Sequence, residues 1–356
     1  MRTALLMVLT CWPLLGLSGE EILPNYIEVQ GPTISPDGKS VVFNVAHRTD
    51  AKGVIGGAVT LLDLDKGTTR KLLKGRLGRP VKLADSNSSR LPVRYAEAWY
   101  GFSWSPNGEA VFAAVIENKG FTVWKIPVGS ENARRICSLP EGLCQRPRAC
   151  PDGSYVMFRD AITHDLFRIA PGGGTLTRLT KTGDVHPLGY DWAPDGKHIY
   201  CSRGYMREDK VCGIWRMNAD GTGAELLLDN HYGRSMAVSP FGKHIAFTEE
   251  TYDPGNKLLI YRLGDNKPVL LADKANLYLS WHPRSDVLFY TDDKGLHEWR
   301  ASTGSSRLLL SCEKCYFPAA RPDGEQVLFL KKEQKSTCLW RLDVASGKTE
   351  QLYPKP

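Results

Sequence analysis

Beyond its first 19 positions the chain has no apolar run approaching the roughly 20 residues that a membrane-spanning helix needs. It also lacks a Gly-x-Ser-x-Gly elbow and a His-Glu-x-x-His pair, so neither an elbow-type serine hydrolase nor a zincin is encoded. No nucleic-acid recognition motif and no long low-complexity tract occur, which argues against a nucleic-acid partner and against a large disordered region. Histidines are scattered singly beside turns and strands, a pattern more typical of structural than of catalytic residues. Asp63-Leu64-Asp65-Lys66-Gly67 starts like a calcium loop but lacks the later ligands, and reads as a hairpin turn. No catalytic residue, metal ligand set or cofactor site is therefore expected.

What the chain has in abundance is a repeated phrase. A Pro-Asp-Gly-like turn followed by alternating aliphatic and aromatic residues begins at Pro36, Pro106, Pro151, Pro194, Pro240, Pro283 and Pro322, at intervals of 70, 45, 43, 46, 43 and 39 residues. Proline presets φ for the second turn position, Asp bonds back to the backbone, and Gly accepts the left-handed conformation that follows. Val41 and Phe43, Val156 and Phe158, Ile245 and Phe247 follow at period two, which predicts a strand buried on one side. Later in each repeat from the second onward comes an aromatic-basic pair, such as Trp124-Lys125, Trp215-Arg216 or Trp340-Arg341, and then a short aliphatic strand. With the strand before each proline, this makes four strands per repeat. A period near forty with four antiparallel strands predicts an all-β, seven-bladed propeller, with six blades as the alternative if the irregular sixth copy (Arg284-Ser285 in place of Asp-Gly) is not a blade. One domain is expected over residues 20–356.

Trp192-Ala193-Pro194-Asp195-Gly196-Lys197 followed by Asn218-Ala219-Asp220-Gly221 resembles the pattern of the TolB-like, WD-repeat-like β-propeller family. The resemblance covers nearly all of the chain after its leader. It implies a propeller, while the separate α/β domain that precedes the propeller of TolB has no counterpart in this sequence.

Arg2 precedes an apolar stretch from Ala4 to Leu17, and Gly16 and Ser18 offer small residues before a cleavage point, so residues 1–19 read as a signal peptide. The expectation is a periplasmic or secreted protein. The surroundings of Cys11 fit a lipid anchor poorly. Eight further cysteines would then meet an oxidising compartment. Candidate disulfides are Cys137 with Cys144, Cys201 with Cys212, and Cys312 with Cys315. The last pair is a Cys-x-x-Cys element whose alternatives are a free or redox-active dithiol and half of a zinc site.

The 70-residue first interval exceeds the others by a loop's worth of chain. The excess falls in Gly75 to Trp99, where Arg79, Lys82, Arg90 and Arg94 precede the aromatic residues Tyr95 and Trp99. Such a loop projecting from a propeller rim is a candidate partner-binding element, the bland alternatives being a solvated excursion or a segment that packs between blades. Before the prolines, one column of residues reads Thr33, Ser103, Arg148, Asp191, Ala237, Ser280 and Ala319, and is expected to line the central channel. Arg148 and Asp191 would there form a salt bridge closing the wall or a small site. The next column holds Trp104, Trp192 and Trp281 and is expected to pack blades together. The formal net charge of +7, one unit less without Arg2, favours anionic partners only mildly. These features point to an exported scaffold that binds a protein or an anionic envelope component through its rim loops. A propeller enzyme of the lyase or glycan-processing kind, acting at the channel mouth, is the alternative.

Overall fold

The computed structural model describes residues 27–48, 55–74, 99–117, 120–139, 144–160, 162–204, 211–250, 256–333 and 336–355. Among these there is no helix. Seven four-stranded antiparallel sheets form a seven-bladed β-propeller. The blades span residues 27–74, 99–139, 144–178, 190–229, 235–275, 280–311 and 315–353, and in each the strands follow one another in sequence order from the inside outward. The sixth copy is a full blade, so the six-bladed alternative does not arise.

The apolar core is seven slabs, one per seam between neighbouring blades. In the second strand of blade one (Ser40–Arg48), Val41, Phe43 and Val45 pack on Leu328, Leu330 and Leu339 of blade seven. Val42, between them, points the other way and packs with Trp104 and Val111 of blade two. The sequence pattern predicted one buried side per strand, and the structure corrects this to two. A blade has a neighbour on each face, so continuous runs such as Val156-Met157-Phe158 are buried at every position.

Polar bonds sew the same seams along the inner strands. Trp104, Trp192 and Trp281 each donate Nε1–H to a carbonyl of the preceding blade, at Thr33, Arg148 and Ala237, all at 3.0 Å. In the opposite direction, Ser103 and Ser280 hydroxyls and the Asp191 carboxylate accept the backbone N–H of Ala149, Ala320 and Val238 in the following blade, at 3.0, 3.4 and 3.2 Å. Blades two, four and six thus grip both neighbours. The column expected to line the channel is, at these three positions, turned onto the next blade.

The turns after the inner strands form a third set of seam contacts. Gly38, Gly108, Gly153 and Gly242 all have φ between +65° and +77°, and a Cβ built on each would meet the turn proline of the preceding blade: Pro322, Pro36, Pro106 and Pro194. At Gly38 that Cβ would stand 2.8 Å from Pro322 Cδ, nearer than a carbon can approach. Glycine is required there for two reasons, conformation and proximity. Ring closure uses this contact together with the Phe43–Tyr353 ring pair at 5.1 Å and a parallel pairing of Glu28 with Thr337.

Gly38→Ala is expected to destabilise by about 1–2 kcal/mol for the left-handed backbone and on the order of 1–3 kcal/mol more for overpacking. Gly304→Ala, at φ +65° with nothing within 4 Å, should lose only the first part. Equal losses for the two variants in urea unfolding would refute the seam contact.

Candidate functional site at the channel mouth

The two ends of the ring differ. At one end the turns after the inner strands are short and nearly uniform, for example 35–39, 105–109 and 193–197. At the other end lie the links between second and third strands and the links between blades, and the latter range from 312–314 to 75–98. The candidate loop residues Arg79, Lys82, Arg90, Arg94 and Tyr95 lie outside the described residues. Trp99 opens the inner strand of blade two, paired with Val115, and its side chain is likewise outside the description.

The inner strands of blades one, two, three and seven carry bulges near this second end. In each bulge one residue is left-handed: Gly31 (φ 56°), Gly101 (φ 108°), Arg146 (φ 44°) and Phe317 (φ 53°). Glycine takes this conformation freely, whereas arginine and phenylalanine are held in it against a steric penalty. Arg146 and Phe317 therefore stand where the fold elsewhere uses glycine.

The Arg146 guanidinium leaves blade three and donates to the carbonyls of Leu188, before blade four, and Met236 of blade five, the latter at 3.4 Å. To touch both the link into blade four and the inner strand of blade five it must lie inside the ring. Its main-chain carbonyl accepts the Tyr190 hydroxyl at 2.8 Å. Burial chiefly, then the nearby Arg148 cation, lowers the pKa of Arg146 to about 10, so it remains charged at neutral pH. Arg148 Nε lies 3.6 Å from Asp191 Oδ1, which brings together the two residues singled out in the sequence column. Phe317 stacks on Tyr278, with ring centroids 3.3 Å apart and planes at 21°. Tyr278 also contributes to the field at Arg146. The mouth thus combines two guanidiniums, one carboxylate and an aromatic stack, a set suited to holding a carboxylate or another oxygen-rich anionic group.

Sequence reasoning passed over Arg146, Tyr278 and Phe317. One signal was available: they stand two residues before the aligned column, in register with Gly31 and Gly101. The aromatic-basic pairs do not form a free belt. Arg168 donates to Ala219 O of blade four at 2.7 Å, Arg216 pairs with Glu225 at 2.7 Å, and Arg300 pairs with Glu298 at 2.9 Å.

Cys201, Cys212, Cys312 and Cys315 carry free thiols in this structure. Cys201 lies opposite Trp215 in the hairpin, and Cys212 precedes the first paired residue, Gly213, so the register keeps the two apart. Cys137 is a free buried thiol, and the side chain of Cys144 is outside the description. Among the described residues no group of three or more His, Cys, Asp and Glu could share a metal. An open groove of about 450 Å³ at the uniform end, between Pro106, Glu109, Lys125 and Tyr155, is remote from the mouth.

No family model matches the chain. An uncharacterised protein, Atu1656, of Agrobacterium fabrum is 33% identical over 107 residues, which are 29% of this chain and 34% of that protein. The chain therefore spans about a third of the length of this relative. Among solved structures, an oligogalacturonate lyase in complex with manganese superposes with a TM-score of 0.65 at 12% identity, over 91% of this chain and 97% of the other. TolB from Acinetobacter baumannii gives 0.50 at 13% identity, over 92% of this chain and 63% of TolB. A puromycin-hydrolysing peptidase of Mycobacterium tuberculosis gives 0.65 at 12%, over 93% and 54%. At such identities the likeness is one of fold, shared by binding proteins and enzymes.

Histidine chemistry near the mouth yields a pH prediction. His186 is buried, its Nδ1 accepts the N–H of Leu188 at 3.3 Å, and its ring meets Tyr232 edge-on at 5.1 Å. Burial first, and then Arg159 and Arg234, hold its pKa well below the usual value, while burial also lowers His244 and His282. The unfolded chain takes up these protons near pH 6.5 and the folded chain resists, so stability is expected to fall as pH drops from 7 to 5, by up to about 1.4 kcal/mol per pH unit per proton. His186→Gln should flatten that slope in urea titrations at pH 5, 6 and 7. An unchanged slope would assign the acid sensitivity elsewhere.

Proposed function

We propose that this chain is an exported binding scaffold that holds a protein or an anionic envelope component at the end of the ring where the channel mouth and the longer links lie. The observation that carries the reading is the position of Arg146. A guanidinium kept charged inside the ring, in a strained left-handed backbone, beside the Tyr278–Phe317 stack, is a preorganised hydrogen-bond donor for an anionic group. Support also comes from the unequal ends. Adaptable contacts belong on links free to vary, and residues 75–98 form the longest of them. The basic and aromatic composition of that link fits the same anionic partner. The leader-like segment 1–19 supports export to the compartment where envelope components are met.

The test is capture from an envelope fraction with the chain from residue 20 onward, in parallel with Arg146→Met and with a deletion of 76–98. A partner retained by the parent should be lost with the deletion and weakened about tenfold or more by Arg146→Met, as expected when a buried charge-assisted contact is removed. Both variants must unfold at the denaturant midpoint of the parent. Binding unaffected by either change overturns the reading. Turnover of oligogalacturonate with manganese present, or of another glycan, would move the protein to the propeller-enzyme alternative.

A further inference from the structure

The mouth leaves the Cys312-Glu313-Lys314-Cys315 element without a role. This segment is the tight link from the outer strand of blade six (Ser305–Ser311) to the inner strand of blade seven (Cys315–Ala320). It is fixed on both sides: Cys312 N–H donates to Lys294 O at 3.1 Å, and Lys332 N–H donates to Lys314 O at 2.9 Å. Gly295 lies directly beneath, and a Cβ there would come within 2.9 Å of the Cys312 nitrogen. A four-residue turn holds its end Cα atoms within about 7 Å, close to the roughly 4.4–6.8 Å span of a disulfide. Cys315 Sγ donates to Cys312 O at 3.4 Å, which turns the Cys315 sulfur back toward Cys312.

The two sulfurs are not equivalent. Cys312 is half-buried, whereas Cys315 is fully buried and its thiol is pushed up chiefly by that burial. A cation stands by. Lys331 is the cross-strand partner of both Cys315 and Cys338. Its ammonium bonds Glu333 at 2.9 Å and lies 4.6 Å from the centre of the Trp340 ring. The Glu333 bond, and to a smaller extent the neighbouring Cys312 and Cys338, raise the Lys331 pKa, so this charge persists over the whole neutral range. A fixed cation next to the pair attracts the negative charge that a sulfur carries during exchange.

We propose that Cys312 and Cys315 form a thiol–disulfide exchange site, with Cys312 as the attacking sulfur, Cys315 as the resolving sulfur and Lys331 as the positioning cation. The Cys312 thiolate attacks one sulfur of an accessible disulfide, whose S–S bond breaks and releases the first thiolate. That thiolate takes the proton of Cys315. The Cys315 sulfur then attacks the Cys312 sulfur, breaks the mixed disulfide and releases the second thiolate, which takes up from solvent the proton that Cys312 had given up. Two cysteine thiols are oxidised to one disulfide, and the substrate disulfide is reduced to two thiols by the same two electrons.

The experiment uses the chain from residue 20 onward, first reduced and then exposed to oxidised glutathione, with peptide mass spectrometry over time. The parent should lose two hydrogens within residues 312–315 and retain no glutathione there, and excess reduced glutathione should reverse the change. Cys315→Ser should trap one glutathionyl group on Cys312. Lys331→Met in the Cys315→Ser background should slow that trapping by about tenfold, as expected when a neighbouring fixed cation is removed from an attacking sulfur. Cys212 is the internal control. It is also half-buried, but burial and then Glu249 and Asp229 raise its thiol to about 11. Faster modification of Cys212 than of Cys312, or failure of Cys315→Ser to trap glutathione while its unfolding midpoint matches the parent, overturns the proposal. A parent disulfide that resists reduced glutathione would mark the pair as a structural crosslink and also overturn it.

Discussion

Every sheet in this molecule must have both faces covered, and only a closed ring satisfies that for all seven. The last seam is the demanding one. Each blade takes its four strands from one contiguous stretch, so blade seven is joined to blade one without exchanging a strand between them. Closure rests on the single parallel pairing of Glu28 with Thr337 and on side-chain packing, with Val41, Phe43 and Val45 set against Leu328, Leu330 and Leu339. Pro322 against Gly38 and Tyr353 against Phe43 complete it. Loss of one methylene at such a seam is felt around the ring, because each slab is packed at the density of a crystal and has no free side toward which to relax.

This constraint explains why much of the fold was legible. The Pro-Asp-Gly phrase acts twice, locally and laterally. Within the first turn, the Asp37 carboxylate accepts the Ser35 hydroxyl at 2.5 Å and the Lys39 N–H at 3.0 Å. Across the seam, the turn glycine receives the neighbouring proline. Both roles favour the same residues, so the repeat is visible despite substitution. In the sixth copy the local role passes to another side chain: His282 Nδ1 accepts the N–H of Arg284 at 3.0 Å, and the turn survives without Asp or Gly. A pattern based on the Asp-Gly pair alone undervalues that blade.

The site was less legible because its geometry depends on which blade faces which, and on local departures from the repeat. Ser103, Asp191 and Ser280 belong to a visible column, but their shared task, accepting an amide from the next blade, appears only when the seams are assembled. Arg146 and Phe317 depend on bulges, which break the period-two register that sequence reasoning relies on. The relation of Cys201 to Cys212 was hidden for a related reason. Cys201 and Cys212 share a hairpin, but a pairing in which Cys201 faces Trp215 leaves no place for Cys212 opposite it.

A ring sewn by buried lateral bonds at each inner strand cannot open a blade without exposing several polar groups together, at about 1–3 kcal/mol for each group left unpaired. The sewing stops at the mouth, at the links around it and at the thiol pair at 312–315. The last of these is mechanically close to the first. Asn276 donates to Cys315 O at 3.3 Å and to Thr291 Oγ1 at 2.9 Å, fixing the start of blade seven to blade six. Two residues beyond Asn276 is Tyr278, two residues beyond Cys315 is Phe317, and these two rings form the stack at the mouth. Cys315 is thus only two residues along the chain from the aromatic stack, directly through Phe317 and through Asn276 to Tyr278.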